Sequence, residues 1–433
     1  MRVSSPLPVP EPPAESRDMD NERFLGNIYI HLPCHVADAG SAKVLKAREA
    51  EPQHGLPATF MAEMDARLAS EISNQMKKDL SRACIGEFQF VCHDQEETPD
   101  SEQIVRPGVA FVAIHQHTGL AVVTIVFHGI ELPASQLLDQ VSKEEILYCR
   151  SSGASAPGNF EVLLAEEYGL IKTGTSRACL SATREHKPRD DVARYYLAGE
   201  TYRSQNMGAA LKPGAFLDQI GQDVGQYDSS EIYVGKNNIL RIDTRANNGA
   251  EVPAVFSDAA LLFIIELILF QDAAVSRTNT RVVQKIGHEE RVPMKFLEDC
   301  SNEFGRTMAF WNIRVFRFIT AQTLADIIAA RFETRADLAA YRENQRFLEH
   351  KINIRYALAS EAENRVLNTI AVLLFVFEAV PALYRAGLMA LSQQPLEPEQ
   401  ILAGTGSSGL VALLLVILIR FLRVRKSRAA TAT

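Results

Sequence analysis

The sequence predicts an α+β cytosolic domain followed by a long stalk helix and a C-terminal two-helix transmembrane hairpin. Three observations predict it. Between residues 23 and 294, β-rich runs and helical spacings alternate, with turn residues between them. Residues 294–380 hold no proline and one glycine, Gly305, and from about Ala321 they are rich in Ala, Leu, Arg, Glu and Gln, all strong helix formers. Two apolar runs, 366–383 and 402–422, then approach the roughly 20 residues that a bilayer needs.

Composition bounds the class. With 433 residues and 47% hydrophobic content, the chain can bury a sizeable core and more than one domain. A net charge of −8 carries no basic signature for nucleic acid. The six cysteines are scattered and none forms a Cys-x-x-Cys pair, which points to reduced thiols and a cytosolic bulk. Residues 1–22 are proline-rich and polar, without the apolar core of a secretory signal, and read as a disordered leader.

The elements follow in order. NIYIHLP and EFQFVCH are short β-rich runs, and PATFMAEMDARLASEISNQMKKDLSRA between them has helical apolar spacing. VAFVAIHQHTGLAVVTIVFHG reads as a hairpin turning at His-Thr-Gly. SEIYVGKNNILRID reads as a second, turning over Gly235, Lys236, Asn237 and Asn238. Helical segments follow each hairpin, at 137–148 and in DAALLFIIELILFQDAAV. The apolar run of the latter is interrupted by Glu266 and ends at Gln271 and Asp272. Runs this short favour a buried core helix over a membrane span. The domain thus covers 23–294, divisible into two subdomains near 151–159. A helical stalk over 295–365 follows, with a helix-start signal at Thr334-x-x-Asp337.

The hairpin is expected over 366–424, with a short acidic loop carrying Glu397 and Glu399 and a basic tail at 425–433. Basic residues on the far flanks of both runs place both termini in the cytosol of a two-span protein of the cell membrane, by the positive-inside rule. Ile354, Ala357, Glu361, Asn364, Asn368, Ala371, Phe375 and Glu378 recur at alternating steps of three and four, so on a helix they share one seam. Ile354, Ala357 and Glu361 belong to the stalk. Asn364, Asn368, Ala371, Phe375 and Glu378 are candidate pore-lining residues, since polar groups in spans avoid lipid. Packing between helices is the competing role for the same amides.

Other chemistry is sparse. No P-loop, Gly-x-Gly-x-x-Gly, Gly-x-Ser-x-Gly or His-Glu-x-x-His motif occurs, so nothing argues for an enzyme. His115, His117 and His128 read as structural or surface residues. A zinc site from Cys34-His35 and Cys92-His93 is disfavoured, because adjacent strand residues point to opposite faces. No cofactor is expected, and metal-binding residues are left open.

The layout over about 321–428 resembles the CorA-type divalent-cation transporter superfamily. SEAENRVLNTIAVLLFVFEAVP looks like the stretch where that family's stalk enters the membrane, and LVALLLVILIRFLRVRK is similar to its second span and basic end. The resemblance implies a homo-oligomer in the lipid bilayer, a pentamer in that family, with a divalent cation as transported or regulatory ion. The family's Gly-Met-Asn signature is missing; the corresponding stretch reads YRAGLMALSQQ. Two functional expectations follow: a cation channel with a cytosolic regulatory domain, or a membrane-anchored signalling or defence sensor whose spans only tether and oligomerise it.

Overall fold

The computed structural model describes residues 23–37, 53–72, 79–92, 104–132, 134–149, 157–199, 222–245, 251–288 and 316–392, with a few isolated positions between them. The chain divides into two units, 1–346 and 347–433.

Among the described residues, the first unit is built on one mixed sheet of ten strands. Its strands are β1 (Phe24–Val36), β2 (Leu80–Cys92), β3 (Ile104–His115), β4 (Leu120–Leu132), β5 (Leu147–Cys149), β6 (Gly158–Asn159), β7 (Leu170–Lys172), β8 (Arg177–Thr183), β9 (Ser230–Val234) and β10 (Asn238–Asp243). They lie in the order β6-β5-β2-β3-β4-β1-β8-β10-β9, with β7 pairing β1 beside this path. β8 and β10 run parallel; the other described pairs are antiparallel. Strands from before and after 151–157 belong to this same sheet.

Helices cover both faces, so the core strands read as near-continuous apolar runs. On one face Ile28, Ile30 and Leu32 of β1, Val123 and Ile125 of β4 and Leu180 of β8 pack against α2 (Ala134–Lys143), α3 (Phe160–Tyr168) and α4 (Asp190–Ala198). The amide oxygen of Asn159 caps α3 by accepting from the Glu161 and Val162 amides. On the other face Tyr29, Phe111, Val122, Cys179 and Ile239 pack against α1 (Gly55–Glu71), α5 (Val255–His288) and α6 (Ile319–Arg331). Gly26 lets β1 approach β8 closely: a Cβ there would collide with the Ser181 carbonyl oxygen.

Helix α5 crosses this second face as its central element. Over Val255–Thr280 it is long and apolar enough to span a membrane, and 83% of its most apolar 18-residue window is buried inside the protein. Its carboxylates explain why it belongs there. Asp258 faces Arg241 of β10 at 2.7 Å, and Glu266 receives both Arg82 terminal nitrogens of β2 at 2.6 and 2.7 Å. Asp272 accepts from the Thr175 amide at 3.3 Å and feels the charge of Arg177 at the start of β8. Burial pushes the Glu266 carboxyl up, and the Arg82 charge opposes it. A fork-to-fork arginine pair meets the ion in the geometry that best offsets its desolvation.

The expected fold class is corrected. The C-terminal two-helix transmembrane hairpin is not present among the described residues, and the one helix among them that passes for a span is α5. The first expected span, 366–383, is the continuation of α7 (Thr334–Ser392), a single helix of 59 residues that runs through Pro381. The second, 402–422, lies outside the described residues, as do the leader 1–22 and the tail 425–433. The physical reason is that hydropathy and length score burial in protein and burial in lipid alike. They also cannot end a helix whose good helix formers continue past the expected boundary at 365 and 366.

Two tests address this core. Glu266→Ala leaves Arg82 buried without its main partner and lowers stability in urea unfolding by about 3–5 kcal/mol. Replacing both, as Arg82→Met with Glu266→Leu, restores most of the loss. Burial also holds His31 neutral down to about 3, and burial, opposed by Asp79 and reinforced by His117, does so for His115 down to about 4. The unfolded chain protonates both near 6.5, so this contribution to stability is intact above that pH. It is lost as pH falls toward 4, at up to about 1.4 kcal/mol per pH unit for each histidine. Unfolding midpoints of the wild type and His31→Asn between pH 7 and 4 will show the shallower slope in the variant.

Candidate functional site

Beside the N-terminus of α5, at the β9–β10 edge of the sheet, lies a cavity of about 330 Å³. Five segments wall it: the end of α1 (Arg67, Glu71), the loop into β9 (Gln226 to Ile232), the end of β10 (Arg241, Arg245), the start of α5 (Phe256 to Ile264) and the start of α6 (Phe318 to Leu324).

Local chemistry shapes each wall. Asp223 accepts from the Gly225 and Ile232 amides, both at 2.8 Å, and fixes the loop that carries Tyr227, Ser229 and Ser230. The Tyr227 hydroxyl reaches Thr320 of α6 at 3.2 Å and joins loop to helix across the rim. The Arg317 amide donates to the Glu71 carbonyl at 2.8 Å, and Ile72 bridges to Phe316, so the end of α1 and the entry to α6 are held together.

Behind the cavity is a buried polar network. Asp258 accepts from Tyr29 at 2.7 Å, Ser181 at 2.6 Å, Asn27 at 3.2 Å and Arg241 at 2.7 Å. The other side of the Asn27 amide accepts from the Gly129 amide and meets His128 Nδ1 at 2.8 Å. Burial together with Asp258 lifts the Tyr29 hydroxyl well above its ordinary value, so it stays a donor. Asp243 bridges the two arginines: Arg241 donates at 3.3 Å, and Arg245 donates from Nε at 3.0 Å and from Nη2 at 2.5 Å. Burial works against the Asp243 charge, but the hydrogen bonds and charges of Arg245 and Arg241 outweigh it and hold the carboxyl at about 2.

Arg245 is therefore an oriented cation. Asp243 grips one edge, the Phe256 ring lies 5.7 Å from its guanidinium carbon, and its side chain keeps 42% exposure. The Asp243 fork uses two of the five N–H donors that a guanidinium carries. Also in the lining, Glu71 lies 3.9 Å from Arg67, and its second oxygen, Oε2, is buried with no hydrogen-bond partner among the described residues. Burial raises the Glu71 carboxyl, against the charges of Arg67 and Arg317.

The seam residues lie elsewhere. Ile354, Ala357, Glu361, Asn364, Asn368, Ala371 and Phe375 are exposed along α7, Phe375 at 71%. Glu361 pairs with Arg365 one turn on. Glu378 lies in the same helix, and its side chain is outside the described residues. His115, His117 and His128 bind separately to Thr118, Asp79 and Asn27. β3 and β4 separate Cys34 on β1 from Cys92 on β2, and His93 lies outside the described residues. No group of three or more His, Cys, Asp or Glu side chains among the described residues could hold a metal.

No family model, curated protein or solved structure matches the chain.

At neutral pH, Asp243→Asn leaves two guanidinium groups short of a counter-charge and destabilises the fold by about 3 kcal/mol. The Asp243 pKa is depressed, so its contribution is present above about pH 4 and disappears as pH falls through 2. The gap between wild-type and variant unfolding midpoints therefore closes on acidification.

Proposed function

We propose that the protein is a ligand sensor: the cavity takes a small polar molecule, and α6 relays its occupancy into α7. The observation that carries this reading is that the cavity wall and the long helix are one continuous device. Phe318, which precedes α6, and Thr320, Ala321 and Leu324 within it line the cavity, and only Phe332 and Glu333 separate the end of α6 from the start of α7. A displacement of α6 is therefore felt at the root of α7.

That joint is built to respond. Glu333 adopts φ of 60°, a left-handed conformation that a non-glycine residue holds at a cost and only when its surroundings enforce it. The enforcing contacts are specific. The Arg177 guanidinium stacks over the Phe332 ring at 4.9 Å, Lys236 pairs with Glu333 at 3.0 Å, and the Ala336 amide donates to the Glu333 carbonyl at 2.8 Å. Burial holds Arg177 below its ordinary pKa, while Asp272, Glu333 and Asp337 act to raise it. In this reading α6 moves that joint against the contacts that hold it.

Of the two functional expectations from the sequence, a convergent pocket favours the sensor. The exposed apolar side chains of α7, among them Val366, Val372, Phe375 and Phe377, supply its output surface. In a homo-oligomer at a membrane that surface would be covered.

Thermal unfolding of the full chain with a panel of small anionic and zwitterionic metabolites tests the reading. At least one compound raises the melting temperature of the wild type and leaves Ala321→Trp, whose indole fills the cavity, unmoved. The same compound slows hydrogen exchange across residues 319–341. A ligand that stabilises both proteins equally, or that leaves 319–341 unchanged, contradicts the relay.

A further inference from the structure

The cavity is graded from floor to mouth, and the gradient specifies a ligand. Ile232, Leu261, Ile264 and Leu324 line it and are buried. Tyr227, Phe256 and Phe318 also line it, yet Tyr227 keeps 64% exposure, Phe256 49% and Phe318 50%, so they stand where the cavity meets solvent. Single exposed apolar residues are ordinary, but three aromatic ones around one opening form a rim. Arg245 belongs to that rim. Its side chain is 42% exposed, and its guanidinium carbon lies 5.7 Å from the centre of the Phe256 ring. Nε and one Nη2 hydrogen are committed to Asp243, and Nη1 makes no hydrogen bond among the described residues. Arg241, by contrast, is buried and spends its donors on Asp258, Ser181, Ser257 and Asp243. A volume of about 330 Å³ is at the small end for ligand sites.

We propose that the cavity binds a small amphipathic monoanion, with an apolar body against the buried floor and one carboxylate at the rim on Arg245. This rests on the sensor reading above and narrows it. A guanidinium gripped along its Nε edge keeps Nη1 and the second Nη2 hydrogen for a carboxylate, in the forked geometry that suits one. The floor accepts an aliphatic or aromatic body by removing its surface from water. It rejects a second charge there, which would be buried among aliphatic side chains. Glu71 does not alter this: its unpartnered oxygen has essentially no accessible surface and presents nothing to the cavity. Selectivity therefore has two sources, the head that Arg245 requires and the charge that the floor excludes.

Calorimetry on the full chain decides it with three probes that share one body. They are 3-phenylpropanoate, 3-phenylpropan-1-ol, which lacks the charge, and 3-(4-carboxyphenyl)propanoate, which carries a second charge at the far end of the body. The wild type binds 3-phenylpropanoate, and each of the other two at least tenfold more weakly. Arg245→Gln brings 3-phenylpropanoate to within about twofold of the alcohol, and Arg245→Lys retains part of the difference. The affinity for the alcohol stays the same in both variants, which a merely structural role for Arg245 would not produce. The proposal is overturned if the alcohol or the dicarboxylate binds the wild type as tightly as 3-phenylpropanoate does. It is also overturned if Arg245→Gln leaves the advantage of the carboxylate intact. If 3-phenylpropanoate does not bind but another compound of the wider panel is blocked by Ala321→Trp, the monoanion class falls while the sensor reading stands. If no probe binds and no compound of the panel is blocked by Ala321→Trp, both fall.

Discussion

Helix α5 is among the most apolar segments of the chain, yet it carries three carboxylates, and the fold is organised around where they go. Asp258, Glu266 and Asp272 all turn toward the sheet, where Arg241, Arg82 and Arg177 rise from three different strands. A carboxylate buried without a partner is prohibitive, so α5 can settle only where these cations stand. That requirement fixes its position and rotation over the sheet far more narrowly than apolar packing alone. It also places the Asp258 end beside β10, where Asp243 and Arg245 extend the same network to the cavity.

The site inherits its character from that core. Arg245 is oriented because Asp243 grips it, and Asp243 stays charged because Arg241 and Arg245 flank it. A cation so arranged has already lost its rotamer freedom, so a ligand need not order it. Another wall is supplied by α1, whose end is tied to the entry of α6 by the hydrogen bond from the Arg317 amide to the Glu71 carbonyl. The end of α1 therefore both lines the cavity and holds the entry to α6.

Parts of this were legible in the sequence. The hairpin of β3 and β4 and that of β9 and β10 stood out because β-rich runs flank turn residues. Glu266 marked α5 as a core helix, and Thr334-x-x-Asp337 marked the start of α7. The partner of Glu266 was invisible, since Arg82 lies 184 positions away and its strand is four places from β8 in the sheet. The two-helix hairpin was misread because apolar length carries no label for lipid or protein. The cavity had no sequence signal: its walls come from five segments, none of which bears a motif, and Glu71 and Arg245 look like ordinary surface charges. The seam from Ile354 to Glu378 is a pattern of spacing, and on the single chain its described side chains face outward.

The most direct test of this account is native-state hydrogen exchange on the full chain, read peptide by peptide. If the carboxylate–arginine pairs bind α5 to the sheet, amides of Val255–Thr280 open together with those of β1, β8 and β10, in the slowest-exchanging unit. Exchange of α5 well before those strands, as a separately opening segment, would contradict it.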